Sequence, residues 1–103
     1  MFDLHGKVAL VTGAQRGMGK AHALALAAQG AKVAVTDIDQ ASCETVAQEI
    51  RAQGGEAIAL KMDVTSGAEI ESAIAETVKA YGKLDILVNN AGIFSPKPAL
   101  EMT

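Results

Sequence analysis

Four short apolar runs alternate along the chain with three longer segments of helical period. The runs have strand length and contain few polar residues, which indicates strands that are buried on both faces, as in a parallel sheet. The predicted strands cover about residues 7–12, 32–37, 57–62 and 84–89. The resulting order, βαβαβαβ, is typical of an α/β protein whose helices cover both faces of one sheet.

The intervening helices are also marked by their ends. The first is dense in alanine, covers about residues 17–29, and should end at Gly30 in a left-handed conformation. The third should begin at Ser66, with Glu69 at capping-box spacing, and stop at Gly82. These signals predict where each helix meets the sheet.

The second helix should follow Asp39 as its N-cap and end at Gln53-Gly54-Gly55. One apolar stripe at helical spacing consists of Cys43, Val46, Ala47 and Ile50. We therefore interpret Cys43 as a core residue and not as a nucleophile.

Right-handed crossovers between these strands predict the order 3-2-1-4, in a doubly wound parallel sheet with three αβα layers. Ligands of such sheets bind beyond the carboxyl ends of the strands. A glycine-rich turn, Asp37, Asp63 and an Asn-Asn-Ala-Gly segment at 89–92 all fall at such ends. We therefore expect one binding site there.

The first predicted strand runs into a turn that contains Gly13, Gly17 and Gly19. Glycines let a backbone approach a phosphate closely, and the N-terminus of the following helix would attract its charge. A nucleoside triphosphatase is excluded because Gly19-Lys20 is followed by alanine and not by Ser or Thr. The spacing of the glycines also differs from the Gly-x-Gly-x-x-Gly pattern of many dinucleotide-binding folds, because Ala14 and Gln15 follow Gly13. The turn predicts a site for a nucleotide pyrophosphate.

Asp37 lies 18 residues after Gly19, close to the interval at which dinucleotide folds place a carboxylate on the adenosine ribose. A carboxylate accepts hydrogen bonds from the diol of NAD. It would repel the 2′-phosphate of NADP by about 4 kcal/mol at 4 Å and an effective dielectric constant near 20. Arg16 could instead pair with that phosphate. Because a strand end is fixed and an arginine can swing away, we predict NAD over NADP.

Composition narrows the class of protein. A chain of 103 residues has room for one domain, and its net charge of −3 argues against nucleic acid or an anionic membrane as a partner. The sequence shows no basic leader with an apolar segment and no membrane-spanning run, and Cys43 is its single cysteine. We therefore expect a cytoplasmic protein. We also expect no metal site, since His22 has no second histidine or carboxylate at the spacing of metal ligands.

Three motifs occur in order: Thr12-Gly-x-x-x-Gly17-x-Gly19, Asp63-Val64 and Asn89-Asn90-Ala91-Gly92. Their combination resembles the N-terminal half of the short-chain dehydrogenase/reductase family, and the resemblance covers essentially the whole chain. It implies a Rossmann-like half-domain over residues 1–92 and a loop over 93–103 that leads to a catalytic half. The family transfers hydride between a nicotinamide cofactor and an alcohol or carbonyl substrate.

The resemblance also implies the cofactor contacts. It assigns the ribose diol to Asp37, the adenine amino group to Asp63 and the adenine ring to the Val64 backbone. Thr12 and Asn89 would tie the first strand to the fourth. The full set of expected cofactor-binding residues is Gly13, Gln15, Arg16, Gly17, Met18, Gly19, Asp37, Ile38, Asp63, Val64, Asn90, Ala91 and Gly92.

One departure from the family concerns catalysis. The family uses a Tyr-x-x-x-Lys pair with a serine upstream, and these would lie beyond residue 103. Tyr81 is the single tyrosine, and Asp85 stands four residues after it, so we reject it as a catalytic residue. We predict that the 103 residues bind cofactor and are inactive alone.

Two alternatives stay open. The chain could be a non-catalytic nucleotide-binding or interaction module. A transferase that uses a methyl donor is disfavoured because Asn-Asn-Ala-Gly, and not an Asp/Asn-Pro-Pro-aromatic segment, follows the fourth strand. The fourth strand would form an uncovered edge of the sheet, which predicts a homo-oligomer.

Overall fold

A computed structural model describes residues 4–13, 17–63 and 65–89 of the chain. Strands and helices alternate throughout these ranges, as the hydrophobic pattern predicts. The elements are β1 (Val8–Thr12), α1 (Gly17–Ala28), β2 (Lys32–Asp37), α2 (Gln40–Ala52), β3 (Ala57–Lys61), α3 (Gly67–Tyr81) and β4 (Ile86–Asn89).

The four strands form one parallel sheet in the order β3-β2-β1-β4. The predicted fold class and strand order are therefore confirmed. β1 lies in the interior of the sheet, where Ala9 is in register with Val33 of β2 on one side and with Ile86 of β4 on the other. Because Gly13 directly follows β1, it lies between the ends of β2 and β4.

Alternate residues of the strands point to two separate cores. On one face, Val11, Val33 and Val35 pack with Ala23 of α1 and with the apolar stripe of α2. Cys43 belongs to that stripe and is fully buried, so its predicted place in the core is confirmed. The opposite face packs against α3 through a smaller buried cluster, which consists of Leu10, Ala34, Met62 and Ala73. The molecule therefore has the predicted three layers.

Helix α1 ends one residue earlier than predicted, at Ala28. The amide of Gly30 donates to the Ala27 carbonyl at 3.0 Å, and that of Ala31 donates to the Leu26 carbonyl at 3.1 Å. Gly30 has φ +103°, and a Cβ there would lie 2.8 Å from the His5 ring. These contacts form a Schellman cap, which requires a residue without a side chain at this position.

The start of α3 differs from the capping box that its sequence suggests. The Ser66 hydroxyl accepts a hydrogen bond from the Glu69 amide at 3.3 Å, which is the first half of the box. The Glu69 carboxylate, however, accepts from the Asp63 amide at 2.9 Å, while the Ser66 amide donates to the Asp63 carbonyl. The second half of the box is absent because Glu69 instead connects the end of β3 to α3.

β4 begins at Ile86, two residues later than predicted. Asp85 precedes it and binds β1 with both its backbone and its side chain. The Asp85 amide donates to the Val8 carbonyl, and the Val8 amide donates to Oδ2 of Asp85, both at 2.9 Å. The Val8 amide lowers the pKa of Asp85, and the hydrogen bond and charge of Lys83 add to this effect. A charged side chain thus completes the pairing at the start of the strand.

We expect Asp85→Asn to reduce the acid sensitivity of the fold. The folded state holds the Asp85 pKa below its ordinary value of 3.8, so its stabilising effect is complete above that value and disappears as the pH falls through the folded pKa. At pH 7 the variant should be less stable than the wild type, and the difference between the two should shrink as the pH falls below 3.8. Urea denaturation between pH 7 and pH 3 checks this, and parallel curves for the two proteins would contradict it.

The outer edge of β3 is covered by side chains of α2. Nε and Nη2 of Arg51 donate to the Ala57 carbonyl at 3.1 and 2.9 Å, and Nε2 of Gln40 donates to the Ala59 carbonyl at 3.3 Å. Nη1 of Arg51 also pairs with Glu44 at 3.1 Å. Since exposed edge carbonyls are sites for pairing with another chain, these contacts protect the β3 edge.

Arg51→Met should therefore destabilise the fold and promote association. The Ala57 carbonyl loses two hydrogen bonds from a charged donor, for which we expect a loss of about 1–2 kcal/mol. Glu44→Gln is the matched control, because it removes the charge of the exposed Arg51–Glu44 pair and keeps the edge contacts. Denaturation and sedimentation velocity measure the two effects. If R51M is as stable and as monodisperse as E44Q, the edge contacts have no protective role.

Candidate functional site at the carboxyl ends of the strands

The predicted site residues that the structure describes lie at one end of the sheet. Gly13 follows β1, Asp37 ends β2, and Asp63 lies shortly after β3. The strands are parallel, so these positions share the carboxyl edge, where α/β sheets bind ligands. The predicted contacts at Gln15, Arg16, Val64, Asn90, Ala91 and Gly92 lie outside the described residues.

The glycine turn joins the central strand to a helix. The chain turns at Gly13, which has φ +62° and is buried, and α1 begins at Gly17. Met18 and Gly19 lie in the first turn of that helix, which contains no acidic residue. The backbone amides of a helix N-terminus and its partial positive charge favour anions. This end of α1 therefore suits a phosphate group.

Thr12 fixes the end of β1 relative to β4. Its hydroxyl donates to the Val88 carbonyl at 3.4 Å, and Thr12 is in register with Asn89. Thr36 makes the corresponding contact on the other side, where its buried hydroxyl donates to the Val11 carbonyl at 2.9 Å. Thr36 is not among the residues predicted from the sequence, although its place directly before the strand-end Asp37 was a possible signal. Both hydroxyls stabilise the strand ends that carry the site.

Asp37 is the most unusual group at this edge. The residue is only 5% exposed. Oδ1 accepts a hydrogen bond from the Ile38 amide at 2.7 Å, whereas the buried Oδ2 has no hydrogen-bond partner among the described residues. A buried polar atom without a partner is costly, so proteins rarely retain one without a ligand or another reason. Oδ2 is thus able to accept a hydrogen bond from a ligand.

Ile38 follows directly and is 54% exposed, more than any other large hydrophobic residue in the described ranges. It gives the site an apolar surface beside the Asp37 carboxylate. A ligand that combines hydroxyl groups with a flat apolar ring would suit this pair of neighbours.

Asp63 has a structural role of its own. Oδ1 accepts hydrogen bonds from the Thr65 amide at 2.9 Å and from the Thr65 hydroxyl at 2.7 Å. The hydroxyl of Thr65, followed by its amide, lowers the pKa of Asp63. The carboxylate therefore stabilises the turn between β3 and α3, and this turn holds it at the carboxyl edge.

Cys43 lies beneath the site and is chemically inert. Burial raises the pKa of its thiol to about 12, and the negative charges of Asp37, Asp39 and Glu44 add to this effect. A thiol with this pKa is protonated at neutral pH and is a poor nucleophile.

The described ranges contain no group of three or more His, Cys, Asp or Glu side chains that could hold a metal ion. Within the same ranges, no helix is long and apolar enough to cross a lipid bilayer.

A family model of short chain dehydrogenases matches residues 7–103. The chain belongs to this family. Short chain dehydrogenases bind nicotinamide cofactors, which are dinucleotides with a ribose diol and a pyrophosphate. Such a cofactor carries phosphate groups, which a helix N-terminus attracts, and hydroxyl groups, from which a carboxylate can accept hydrogen bonds.

Individual family members are similar along most of the chain. The 2,5-dichloro-2,5-cyclohexadiene-1,4-diol dehydrogenase of Sphingobium indicum is 46% identical over 93 residues, which are 90% of this chain and 37% of that protein. The sorbitol dehydrogenase of Cereibacter sphaeroides is 44% identical over 100 residues, which are 97% of this chain and 38% of that protein. The chain thus spans little more than a third of the length of these relatives.

A solved structure shows the same arrangement of elements. The crystal structure of a hydroxysteroid dehydrogenase from Escherichia coli matches with a TM-score of 0.82 and 41% sequence identity. The match covers 84% of this chain and 36% of that one. The matched part of this chain therefore corresponds to about a third of that dehydrogenase.

Proposed function

We propose that this chain is the cofactor-binding part of an NAD-dependent oxidoreductase that acts on an alcohol or carbonyl substrate. The observation that carries the proposal is Oδ2 of Asp37, a buried carboxylate oxygen without a partner in the described part of the chain. It lies at the carboxyl edge of the sheet, where α1 also begins. NAD would supply hydride chemistry when bound.

The residues of this chain would hold the cofactor in an extended position along the edge. Oδ2 of Asp37 would accept a hydrogen bond from the adenosine ribose diol, and Ile38 would pack against the adenine ring. The first turn of α1 would bind the pyrophosphate through backbone amides. By family resemblance, Asn90, Ala91 and Gly92 would border the nicotinamide ribose. This arrangement positions the cofactor; proton transfer would depend on residues beyond 103.

The preference for NAD over NADP rests on the charge of Asp37. The carboxylate can accept a hydrogen bond from a neutral diol, because Oδ2 has no other partner among the described residues. A 2′-phosphate would place a second negative charge against an oxygen that has no donor among the described residues to offset it. We therefore propose NAD as the cofactor.

The family comparison and the β4 edge support two further proposals. We propose that residues 93–103 connect the cofactor half, residues 1–92, to a catalytic half. We also propose that the 103-residue chain by itself forms a homo-oligomer at β4, which pairs with β1 and with no other strand of the described sheet. The buried, unpaired thiol of Cys43 is consistent with a reducing compartment such as the cytoplasm.

A fluorescence titration of the purified chain with NADH, and separately with NADPH, tests the function. Tighter binding of NADH is expected. The chain alone should not oxidise NADH with any carbonyl substrate, because proton transfer needs groups that its 103 residues do not supply. Binding of neither cofactor would overturn the proposal, and turnover by the chain alone would overturn its assignment as a cofactor-binding part.

A further inference from the structure

We propose that Glu69 is a positioning residue of the cofactor site: its carboxylate holds the end of β3 so that Asp63 can accept a hydrogen bond from the adenine amino group. The inference rests on the proposed function and on the contact between Asp63 and adenine that the family resemblance implies. It adds a side chain of α3 that acts on the cofactor through Asp63.

Glu69 binds the backbone of Asp63 and not that of Ser66. Its side chain is half-buried, and Oε1 accepts a hydrogen bond from the Asp63 amide at 2.9 Å. In a capping box, this carboxylate would accept from the Ser66 amide. That amide instead donates to the Asp63 carbonyl at 3.0 Å. Both backbone groups of Asp63 are therefore bonded to the start of α3.

The side chain of Asp63 is fixed through one of its two oxygens. Oδ1 accepts hydrogen bonds from the Thr65 amide at 2.9 Å and from the Thr65 hydroxyl at 2.7 Å. Both hydrogen bonds that the carboxylate accepts within the described ranges go to Oδ1, so Oδ2 is left to accept from a ligand. Where Oδ2 lies depends on the position of the Asp63 backbone, which Glu69 holds.

Asp63 also lies beside the end of β2. The Met62 amide donates to the Asp37 carbonyl at 2.8 Å, and Asp63 directly follows Met62. Adjacent strands of a sheet are about 5 Å apart, which is a distance that an adenine ring can span. A cofactor whose ribose binds Asp37 would therefore have its adenine ring within reach of Asp63.

Two substitutions separate the reach of the Glu69 carboxylate from its charge. Glu69→Gln keeps an oxygen at the same reach, so it should bind NADH within about twofold of the wild type. Glu69→Asp keeps the charge and is shorter by one methylene group, so it loses the hydrogen bond from the Asp63 amide. We expect E69D to weaken NADH binding about fivefold, which corresponds to one lost hydrogen bond. Thermal melts followed by circular dichroism verify that both variants fold.

A cofactor without the amino group gives a second comparison. Reduced nicotinamide hypoxanthine dinucleotide is NADH with an oxygen in place of that group, and this oxygen cannot donate to Asp63. The wild type should bind it about fivefold more weakly than NADH. E69D should change its affinity by less than about twofold, because the contact that the variant disturbs is already absent. A purely structural effect of E69D would weaken both cofactors equally.

Ser66→Ala is the matched control. It removes the hydrogen bond between the Ser66 hydroxyl and the Glu69 amide, which weakens the start of α3, and it leaves the contact between Glu69 and Asp63 in place. If E69D weakens NADH binding no more than S66A does, or weakens both cofactors equally, Glu69 has no positioning role and the proposed function stands. The same holds if E69Q loses as much as E69D.

Two results for the wild type also decide the matter. If it binds NADH and the hypoxanthine cofactor equally well, Asp63 does not bind the adenine amino group, and this inference alone is wrong. If the wild type does not bind NADH, the proposed function fails and the inference fails with it.

Discussion

Asp37→Asn is expected to weaken NADH binding by about thirtyfold. A hydrogen bond to a charged acceptor contributes about 1.5–3 kcal/mol, and a loss of about 2 kcal/mol corresponds to this factor. The Asn oxygen can still accept from the Ile38 amide, so the local backbone should be retained. What the variant lacks is a charged acceptor at the position of Oδ2. The expected loss therefore measures the contact that we assign to the ribose diol.

The same substitution should not destabilise the protein without cofactor. In the wild type, Oδ2 of Asp37 is buried and has no partner among the described residues. Burying an unpaired charge costs more than burying an unpaired amide. We therefore expect the free energy of unfolding of D37N to equal or exceed that of the wild type. Binding and stability should change in opposite directions, as is common for residues that are retained for function.

Two measurements separate these effects. Titration with NADH gives the change in affinity, and urea denaturation without cofactor gives the change in stability. Glu76→Gln serves as the control for loss of one negative charge, because Glu76 is exposed on α3. It should change neither quantity by more than about 0.5 kcal/mol. A D37N protein that binds NADH as tightly as the wild type would remove the main support for the proposed site.

Local signals account for the parts of the fold that the sequence predicts well. The Gly30 cap of α1, the Asp39 cap of α2 and the Gly82 cap of α3 each depend on residues within a few positions, and the structure has all three. The order of the strands follows from the handedness of crossovers, which holds for almost all parallel sheets. Strand order and helix ends are therefore accessible without a structure.

Long-range side-chain contacts account for the errors. Asp85 binds the Val8 amide across 77 positions in sequence, and this contact replaces the strand pairing that the apolar pattern predicts for the start of β4. Glu69 has the spacing of a capping box, yet it binds the Asp63 amide because β3 ends beside the start of α3. Neither partner can be identified from local spacing.

The site shows the same division. The spacing of the glycines and of Asp37 identifies the edge at which the ligand should bind. One oxygen of Asp37 accepts a hydrogen bond from the Ile38 amide, and the other has no partner in the described ranges. This difference depends on the packing around the strand end, which spacing does not predict. Sequence alone therefore predicts where a carboxylate lies, and the structure identifies which of its oxygens is able to bind a ligand.

Leu10→Ala is expected to destabilise the fold by about 3–5 kcal/mol, which is the range for large buried residues that are truncated in a core. Leu10 lies in the interior strand β1 and is 1% exposed. It faces α3, where the buried cluster is the smaller of the two. Its neighbour in register on β2 is Ala34, which is too small to fill the space that the substitution leaves.

The loss of core packing should also weaken cofactor binding. Leu10 lies in β1, and Gly13 of the proposed cofactor site follows this strand, three residues after Leu10. Small domains have a free energy of unfolding of about 5–15 kcal/mol, so the variant would lose a large fraction of it. Leu87→Ala is the matched control, since Leu87 lies on the same face, in register with Leu10, and is half-buried on the outer strand. We expect L87A to lose less than half as much in urea denaturation. If L10A and L87A lose equal free energies of unfolding, the outer strand β4 contributes as much to the core beneath α3 as β1 does. The proposal that β1 has a special role in supporting the site would then be wrong.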